Sequence, residues 1–125
     1  MDEQLSKRER QIMDVIYSLG NATATQVIEG LDSAPSRSAV RTFLTILEKR
    51  GHLRHTKVGK EYLYEPTRPR RSVGKGALQR VIDVFFAGSL ENAVAAHLLD
   101  RKTEVSKEEL QRLSALIAQT RKKGR

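Results

Sequence analysis

The segment from Ser36 to Gly51, SRSAVRTFLTILEKRG, has the periodicity of a helix with two unlike faces. Its apolar side is formed by Ala39, Val40, Phe43, Leu44 and Leu47. Its other side carries short hydroxyls and guanidinium groups, from Arg37, Ser38, Arg41, Thr42 and Thr45. Taken alone, such a segment could be an ordinary solvated helix. The same polar side also suits phosphates and base edges in a DNA major groove, and the flanking sequence decides between the two interpretations.

Positive charge is concentrated around this segment. The formal net charge is +8, and residues 36–71 contain ten Lys or Arg against three Glu, which is +7 of that total. If the charge served only solubility, we would expect it to be spread more evenly along the chain. A localised positive field instead indicates a polyanionic partner, with an affinity that falls steeply as salt rises.

Two capping boxes precede the basic helix and indicate two further helices. Ser6 and Glu9 stand in the S-x-x-E arrangement, and the Thr23 to Gln26 segment has the related T-x-x-Q form. Apolar residues recur at helical spacing after each box, and Gly20 is a plausible end of the first helix. Three helices within about fifty residues, the last two joined by a short turn, predict a helix-turn-helix.

A β-hairpin is predicted immediately after the basic helix. The runs 52–58 and 61–65 favour strands, and Gly59-Lys60 lies between them as a two-residue turn. Three helices followed by such a hairpin predict a winged helix. We expect its DNA contacts to come from the start and polar side of the basic helix and from the hairpin tip: Ser36, Arg37, Ser38, Arg41, Thr42, Thr45, Lys57 and Lys60.

A domain boundary is predicted at the proline-containing segment PTRPRRS, residues 66–72. We therefore expect a winged-helix domain over residues 1–71 and a helical dimerisation domain over residues 72–125. The arginines at 68, 70 and 71 could contact the DNA backbone or form a solvated linker, and the pattern does not separate these alternatives. The predicted fold class is mostly α with a small β-hairpin wing.

The C-terminal third has helical periodicity with wide apolar stripes. The stripes contain Leu78, Val81, Ile82, Phe85, Phe86, Val94, Leu98, Leu110, Leu113, Leu116 and Ile117. About fifty residues of amphipathic helix cannot bury so much apolar surface alone. Pairing with a second copy is the simplest solution, and it would place two winged helices on a two-fold DNA site. The alternative is that these helices fold back on the first domain.

Composition and motifs argue against other classes of protein. The chain contains no Cys, and His52, His55 and His97 are not spaced as a metal-ligand set. It has no phosphate-binding loop, nucleophile elbow or H-E-x-x-H motif. Its longest apolar run is far shorter than a membrane span, and its N-terminus has no apolar signal region. We therefore expect a soluble, cytoplasmic, non-enzymatic protein without cofactor or metal.

The sequence resembles the penicillinase-repressor family of bacterial regulators, which includes the BlaI and MecI type and the copper-responsive CopY proteins. The resemblance runs from LSKRERQIMDVIYSLGNATATQVIEGL through SAVRTFLTILEKRGHL to KEYLYEP, and more loosely through the C-terminal helices. Its more specific parts are Val40-Arg41-Thr42, Leu44-Thr45, the segment 48–51, and Tyr62 with Tyr64. It implies a winged helix, a helical dimerisation domain, and repression of a palindromic promoter element by a homodimer.

The chain departs from the family pattern at three places. Ser38 and Ala39 stand where the family usually has Lys and Thr, while Arg41 and Thr42 match. The chain lacks the Cys-x-Cys motifs of the copper-responsive members, which excludes that kind of metal sensing. Where penicillinase-type members are cut at an Asn-Phe step by a membrane sensor-protease, the loosely aligned residues here are Ala96 and His97. Apart from these departures, the resemblance implies control of β-lactam or cell-envelope stress genes, with release by proteolysis or another signal.

Two other regulatory functions fit a winged helix. One is a sequence-tolerant or architectural DNA-binding protein, which would show little preference for one palindrome over bulk DNA. The other is a small-molecule-sensing regulator, which would need an apolar pocket that so short a chain has little material to line.

Overall fold

The computed structural model describes residues 4–124, which form six helices and one hairpin. The elements in chain order are α1 (Lys7–Leu19), α2 (Ala24–Gly30), α3 (Arg37–Lys49), β1 (Leu53–Val58), β2 (Glu61–Pro66), α4 (Arg70–Phe85), α5 (Leu90–Leu98) and α6 (Lys107–Gly124). This order confirms the predicted fold class. Three helices and a two-stranded antiparallel hairpin precede three further helices.

The predicted capping boxes are present at the first two helices. At α1 the Ser6 hydroxyl accepts from the Glu9 amide at 3.1 Å, and the Glu9 carboxylate accepts from the Ser6 amide at 2.9 Å. At α2, Thr23 and Gln26 exchange the equivalent bonds at 3.2 and 2.9 Å. Each box satisfies backbone amides that have no partner within the helix, so the sequence itself determines where these helices begin.

The winged helix has one apolar core. Its buried members are Ile12, Met13, Ile16, Ala22, Val27, Val40, Leu44, Leu47, Leu53 and Tyr64. They come from all three helices, both strands and the segment between α1 and α2. Removing each large side chain from water contributes about 1.5–3 kcal/mol, so this burial fixes how α3 lies against the rest of the unit.

The hairpin has the predicted turn and a defined register. Leu53 pairs with Pro66 at its base and Val58 pairs with Glu61 at its tip, where Gly59 has a positive φ of 65°. The strand pairing continues to Ala22, which exchanges backbone hydrogen bonds with Tyr64 at 2.9 and 2.8 Å. This bridge attaches the hairpin to the helices through the backbone as well as through the core.

A partly buried ion pair joins the beginning of α1 to the end of α3. The Arg50 Nη1 atom lies 3.2 Å from Glu9 Oε1, and Arg50 Nη2 donates to the Gln4 carbonyl at 3.1 Å. Glu9 is the same residue that closes the capping box of α1. One carboxylate therefore both starts the first helix and holds the last turn of the third.

The chain divides into two compact units, Met1–Gly76 and Ala77–Arg125. We call them the N-terminal and C-terminal units. Helix α4 begins at Arg70, so the predicted domain edge after Arg71 lies inside a helix. Arg70 donates to the carbonyls of Tyr17 and Ser18 at 2.9 and 3.3 Å, and thus caps the end of α1. This role differs from both alternatives considered for the arginines of that segment.

The C-terminal unit contains the rest of α4 together with α5 and α6. Ser89 and Ser106 cap α5 and α6 by accepting from the amides of Asn92 and Glu109, both at 3.0 Å. No single helix within residues 4–124 is long and apolar enough to cross a membrane, although α4 and α5, bent by 96°, pass that test as a pair.

Helix α4 contains Gly74 and Gly76 at positions where alanine would fit. Neither has a positive φ, and an added Cβ at either would meet no heavy atom within 4 Å. Because glycine costs about 0.5–1 kcal/mol in a helix interior relative to alanine, we expect Gly74→Ala and Gly76→Ala each to raise the free energy of unfolding by about that amount. Urea unfolding of the full chain would measure the change.

The matched control for these substitutions is Gly51→Ala. Gly51 has a φ of 88° after α3, a conformation that alanine adopts only with strain, so this variant should be less stable than the native chain. A decrease in stability at Gly74 or Gly76 instead would show that another surface packs against that side of α4.

Candidate nucleic-acid interface

Helix α3 buries its apolar side and exposes its polar side. Val40, Leu44 and Leu47 are fully buried. The side chains predicted to contact DNA from this helix are all exposed: Arg37, Ser38, Arg41, Thr42 and Thr45. Ser36 is exposed too, and its hydroxyl caps the helix by accepting from the Ala39 amide at 3.1 Å. The polar side of α3 is therefore held outward by the packing of its apolar side.

The hydroxyl groups of α3 are oriented by the helix itself. Thr42 Oγ1 donates to the Ser38 carbonyl at 3.1 Å, and Thr45 Oγ1 donates to the Arg41 carbonyl at 3.0 Å. With the hydroxyl proton used in this way, each threonine oxygen is left to accept a hydrogen bond. Adenine N6 and cytosine N4 are the base groups that donate in the major groove.

A groove of about 440 Å³ separates α3 from the hairpin. Its lining comes from the start of α2, from α3 and from both strands: Thr23, Ala24, Thr25, Arg37, Arg41, Thr45, Lys57, Lys60, Glu61, Tyr62 and Tyr64. Four of these side chains are basic and one is acidic, so the groove carries a formal charge of +3. Such a cationic groove is suited to a phosphate backbone.

The other side of α3 borders a shallower depression of about 660 Å³. Arg37, Ser38, Arg41, Thr42, Thr45, Ile46 and Lys49 line it. Arg37, Arg41 and Thr45 thus line both the groove and this depression, which lie on either side of the exposed face of α3. Ser38 and Thr42 line only the depression. Ser36 lines neither depression, and the hairpin lysines Lys57 and Lys60 line only the first.

Tyr64 forms part of the floor of the groove and is 7% exposed. Burial raises the pKa of its phenol above the usual 10.0, the Glu48 carboxylate and the Tyr62 phenol add to the rise, and Arg41 opposes it. Tyr64 therefore stays uncharged at neutral pH and adds no negative charge to the cationic groove.

The three histidines occupy separate places in the chain. His52 precedes β1, His55 lies within β1, and His97 lies in the last turn of α5. Within residues 4–124 no group of three or more His, Cys, Asp or Glu is placed to hold a metal ion. His55 instead contacts Glu48 of α3, with its Nδ1 2.7 and 2.8 Å from the two carboxylate oxygens.

Eight residues that line the two depressions were not predicted as site residues from the sequence: Thr23, Ala24, Thr25, Ile46, Lys49, Glu61, Tyr62 and Tyr64. Thr25 accepts from Arg37 Nη1 at 3.1 Å and so ties the start of α3 to α2. Tyr62 and Tyr64 line the groove, and Ile46 is an exposed apolar residue beside Thr42. Strand alternation could have placed both tyrosines on one face of the hairpin, but only packing shows that this face is turned toward α3.

The residues predicted to form a dimer interface lie on α4, α5 and α6. Leu78, Val81, Phe85, Val94, Leu98, Leu110, Leu116 and Ile117 are exposed, and Phe86 and Leu113 are half-buried. Ile82 is only 7% exposed in the single chain, so it has little surface to contribute to the predicted interface. Among the exposed residues, Phe85 has 69% of its surface accessible to solvent in the single chain.

Ala96 and His97, the residues aligned with the family's cleavage step, are exposed in α5. They lie in its last turn, where the Leu99 amide donates to the Ala95 carbonyl at 2.9 Å. A protease would therefore meet this peptide bond in helical rather than extended form, and access to it requires local opening of the end of α5.

Three helices and a hairpin with this exposed cationic helix define a winged-helix DNA-binding regulator. The chain belongs to the penicillinase repressor family, whose family model matches residues 5–119. This is a family of transcriptional repressors that bind DNA.

Relatives of known identity include the penicillinase repressor of Bacillus licheniformis. It is 27% identical over 116 residues, which span 91% of this chain and 89% of the relative. Among solved structures, the DNA-binding domain of the repressor BlaI is 32% identical with a TM-score of 0.48, covering 54% of this chain and 88% of that domain. The CopR repressor is 30% identical with a TM-score of 0.44, covering 53% of this chain and 99% of that one.

Proposed function

We propose that two copies of this chain, joined through their C-terminal units, bind a palindromic operator and repress transcription by blocking polymerase. The observation that carries the proposal is the outward polar side of α3, with Arg41 and Thr45 facing a cationic groove shared with the hairpin. The function follows from presenting this surface twice with fixed spacing.

In the proposed complex α3 enters the major groove. Arg37 and Arg41 have the donors to bind guanine or phosphate, and Thr42 and Thr45 have oxygens free to accept from bases. Lys57 and Lys60, at the hairpin tip, reach the adjacent phosphates. Ser36 and Ser38 lie at the start of α3, where hydroxyls commonly contact the phosphates of the DNA backbone.

The proposed dimer is supported by the exposed apolar residues of the C-terminal unit. Leu78, Phe85, Leu116 and Ile117 are each more than half exposed in the single chain, which leaves a costly apolar surface in water. A second copy related by a two-fold axis would cover it. The two α3 helices would then enter successive major grooves about 34–36 Å apart.

Bivalency explains how such a repressor could be released. When two DNA-binding units are joined, the second binds at a high effective concentration, and separating the copies removes most of the affinity. Any signal that weakens the association of the C-terminal units would therefore free the operator. We propose that the regulated genes serve resistance to β-lactams or cell-envelope stress, in line with the penicillinase repressor to which the chain is similar.

One such signal is cleavage in the C-terminal unit by a membrane sensor-protease. A cut at Ala96–His97 would separate α4 and most of α5 from α6. Because the three helices supply the apolar residues of the proposed interface, the products would retain the winged helix but pair weakly.

We expect Arg41→Ala to lower the affinity for operator DNA by about 1–3 kcal/mol while leaving the dimer intact. Arg41 faces the groove, and the substitution removes a base or phosphate interaction without disturbing the core. A fluorescence-anisotropy titration at fixed salt would measure the affinity, using the duplex that the native chain selects from a random pool. Arg10→Ala, an exposed arginine of α1 outside both depressions, is the matched control. Unchanged binding by Arg41→Ala would contradict the assigned side of α3.

We expect Phe85→Glu to produce a folded monomer that binds the operator about a hundredfold or more weakly. Phe85 is 69% exposed, so a charge there costs little in the single chain but would be buried at the proposed interface. Sedimentation equilibrium would report the mass. Leu19→Glu, at a position that is 55% exposed at the end of α1, should remain dimeric. A dimeric Phe85→Glu variant would place the interface elsewhere.

We expect an activated sensor-protease to cut the chain near Ala96–His97 and to release it from the operator. Intact-mass spectrometry would locate the cut. An intact chain with unchanged operator affinity after incubation would exclude this route of release.

A further inference from the structure

One face of the hairpin is turned toward α3, and it carries a short row of rings. The register pairs Lys57 with Tyr62 and His55 with Tyr64, so these four side chains share one face of the two strands. Lys57 and Tyr62 lie nearer the tip, and His55 and Tyr64 lie nearer the base. Lys57, Tyr62 and Tyr64 line the groove beside α3.

The ring of Tyr62 is fixed by stacking. The His55 and Tyr62 ring centroids are 4.1 Å apart with their planes 19° from parallel. Tyr64 completes the cluster, with its ring tilted on His55 at 5.7 Å and edge-on to Tyr62 at 6.3 Å. Ring packing of this kind favours one orientation of each ring, so we expect Tyr62 to be held in fewer positions than an unpacked lysine side chain.

The cluster is in turn attached to α3. His55 Nδ1 lies 2.7 and 2.8 Å from the two oxygens of Glu48, which belongs to the last turns of that helix. Glu48 and His55 are each about one-third exposed at the side chain. The position of Tyr62 relative to α3 therefore depends on a chain of interactions from Glu48 through His55, and not on the hairpin backbone alone.

The hydroxyl end of Tyr62 is available to a ligand. The residue is 46% exposed, and within residues 4–124 its hydroxyl makes no hydrogen bond. It shares the rim of the groove with Lys57 and Lys60 of the hairpin and with Arg41 of α3. The same groove also contains the Glu61 carboxylate, but its four basic side chains leave it with a formal charge of +3. An uncharged donor on a packed ring beside such a groove is well suited to one oxygen of a phosphate that the basic groups attract.

We propose that the Tyr62 hydroxyl donates a hydrogen bond to a DNA backbone phosphate, with His55 and Glu48 as the residues that position it. The inference rests on the proposed docking of α3 and the hairpin on DNA. The lysines supply long-range attraction, while Tyr62 supplies one hydrogen bond of fixed geometry that sets the angle of the hairpin against the backbone.

The direct test is Tyr62→Phe in the full chain, which keeps the stacked ring and removes only the hydroxyl. We expect the affinity to fall about tenfold, the usual effect of removing one hydrogen bond of this kind. Because tyrosine brings no charge, the dependence of affinity on salt should keep its slope, whereas Lys57→Ala should reduce that slope by about one. Tyr17→Phe, a half-buried tyrosine of α1 outside the groove, is the matched control and should bind as the native chain does.

Two duplexes distinguish a phosphate partner from a base partner for Tyr62. The probes are the duplex that the native chain selects from a random pool and a scrambled duplex of the same length and composition. A phosphate partner predicts the same proportional decrease in affinity on both for Tyr62→Phe. A decrease confined to the selected duplex would mean that Tyr62 reads a base, and would overturn the phosphate assignment.

The positioning role is tested by a double-mutant cycle. If His55 acts through Tyr62, His55→Ala should weaken binding in the native background and change it little when Tyr62 is already Phe. If His55→Ala lowers the affinity for DNA equally in both backgrounds, His55 does not act through Tyr62 and has only a structural role. Glu48→Gln should bind more tightly than Glu48→Ala, because both variants remove the same charge but only glutamine retains an acceptor for His55. If the two variants bind DNA with equal affinity, Glu48 does not help to position His55 and Tyr62.

Arg41→Ala separates failure of this inference from failure of the proposed interface. If Arg41→Ala and Lys57→Ala weaken binding but Tyr62→Phe does not, the tyrosine assignment is wrong and the interface stands. If none of the three changes the affinity, the interface itself is wrong. Urea unfolding of each variant would show whether weaker binding comes from a less stable fold.

Discussion

The burial of one side of α3 is the constraint on which the rest of this structure depends. Val40, Leu44 and Leu47 are fully buried, and they pack in a core shared with α1, α2 and the hairpin. Burial of these three positions fixes the direction in which the opposite side of the helix faces. Arg41 and Thr45 face outward because the hydrophobic packing leaves no alternative rotation of the helix about its axis.

Polar interactions refine what the core determines. Glu9 and Arg50 hold the two ends of the helical unit together, Thr25 holds Arg37 at the start of α3, and Arg70 caps the end of α1. Each joins residues at least twelve positions apart in the chain, close to the end of a helix. These bonds fix the ends of the helices that carry the proposed DNA-binding surface.

The two units differ in how much of their apolar surface is covered within the single chain. The N-terminal unit covers its apolar residues internally, as its continuous core shows. The C-terminal unit leaves large side chains such as Phe85 and Ile117 in contact with solvent. The proposed dimer would cover them, and the same association would give the pair of DNA-binding units two-fold symmetry.

The sequence by itself determined the helices, the hairpin, the polar side of α3 and the concentration of positive charge. Caps, turns and periodicity act between residues a few positions apart, so they can be recognised in the sequence without the fold. Tertiary structure alone decided that Tyr62 and His55 face α3, that Ala22 pairs with Tyr64, and that Arg70 donates to the last carbonyls of α1. These interactions join residues of different helices, strands and connecting segments, and their partners are chosen by how the core packs, which no local pattern contains.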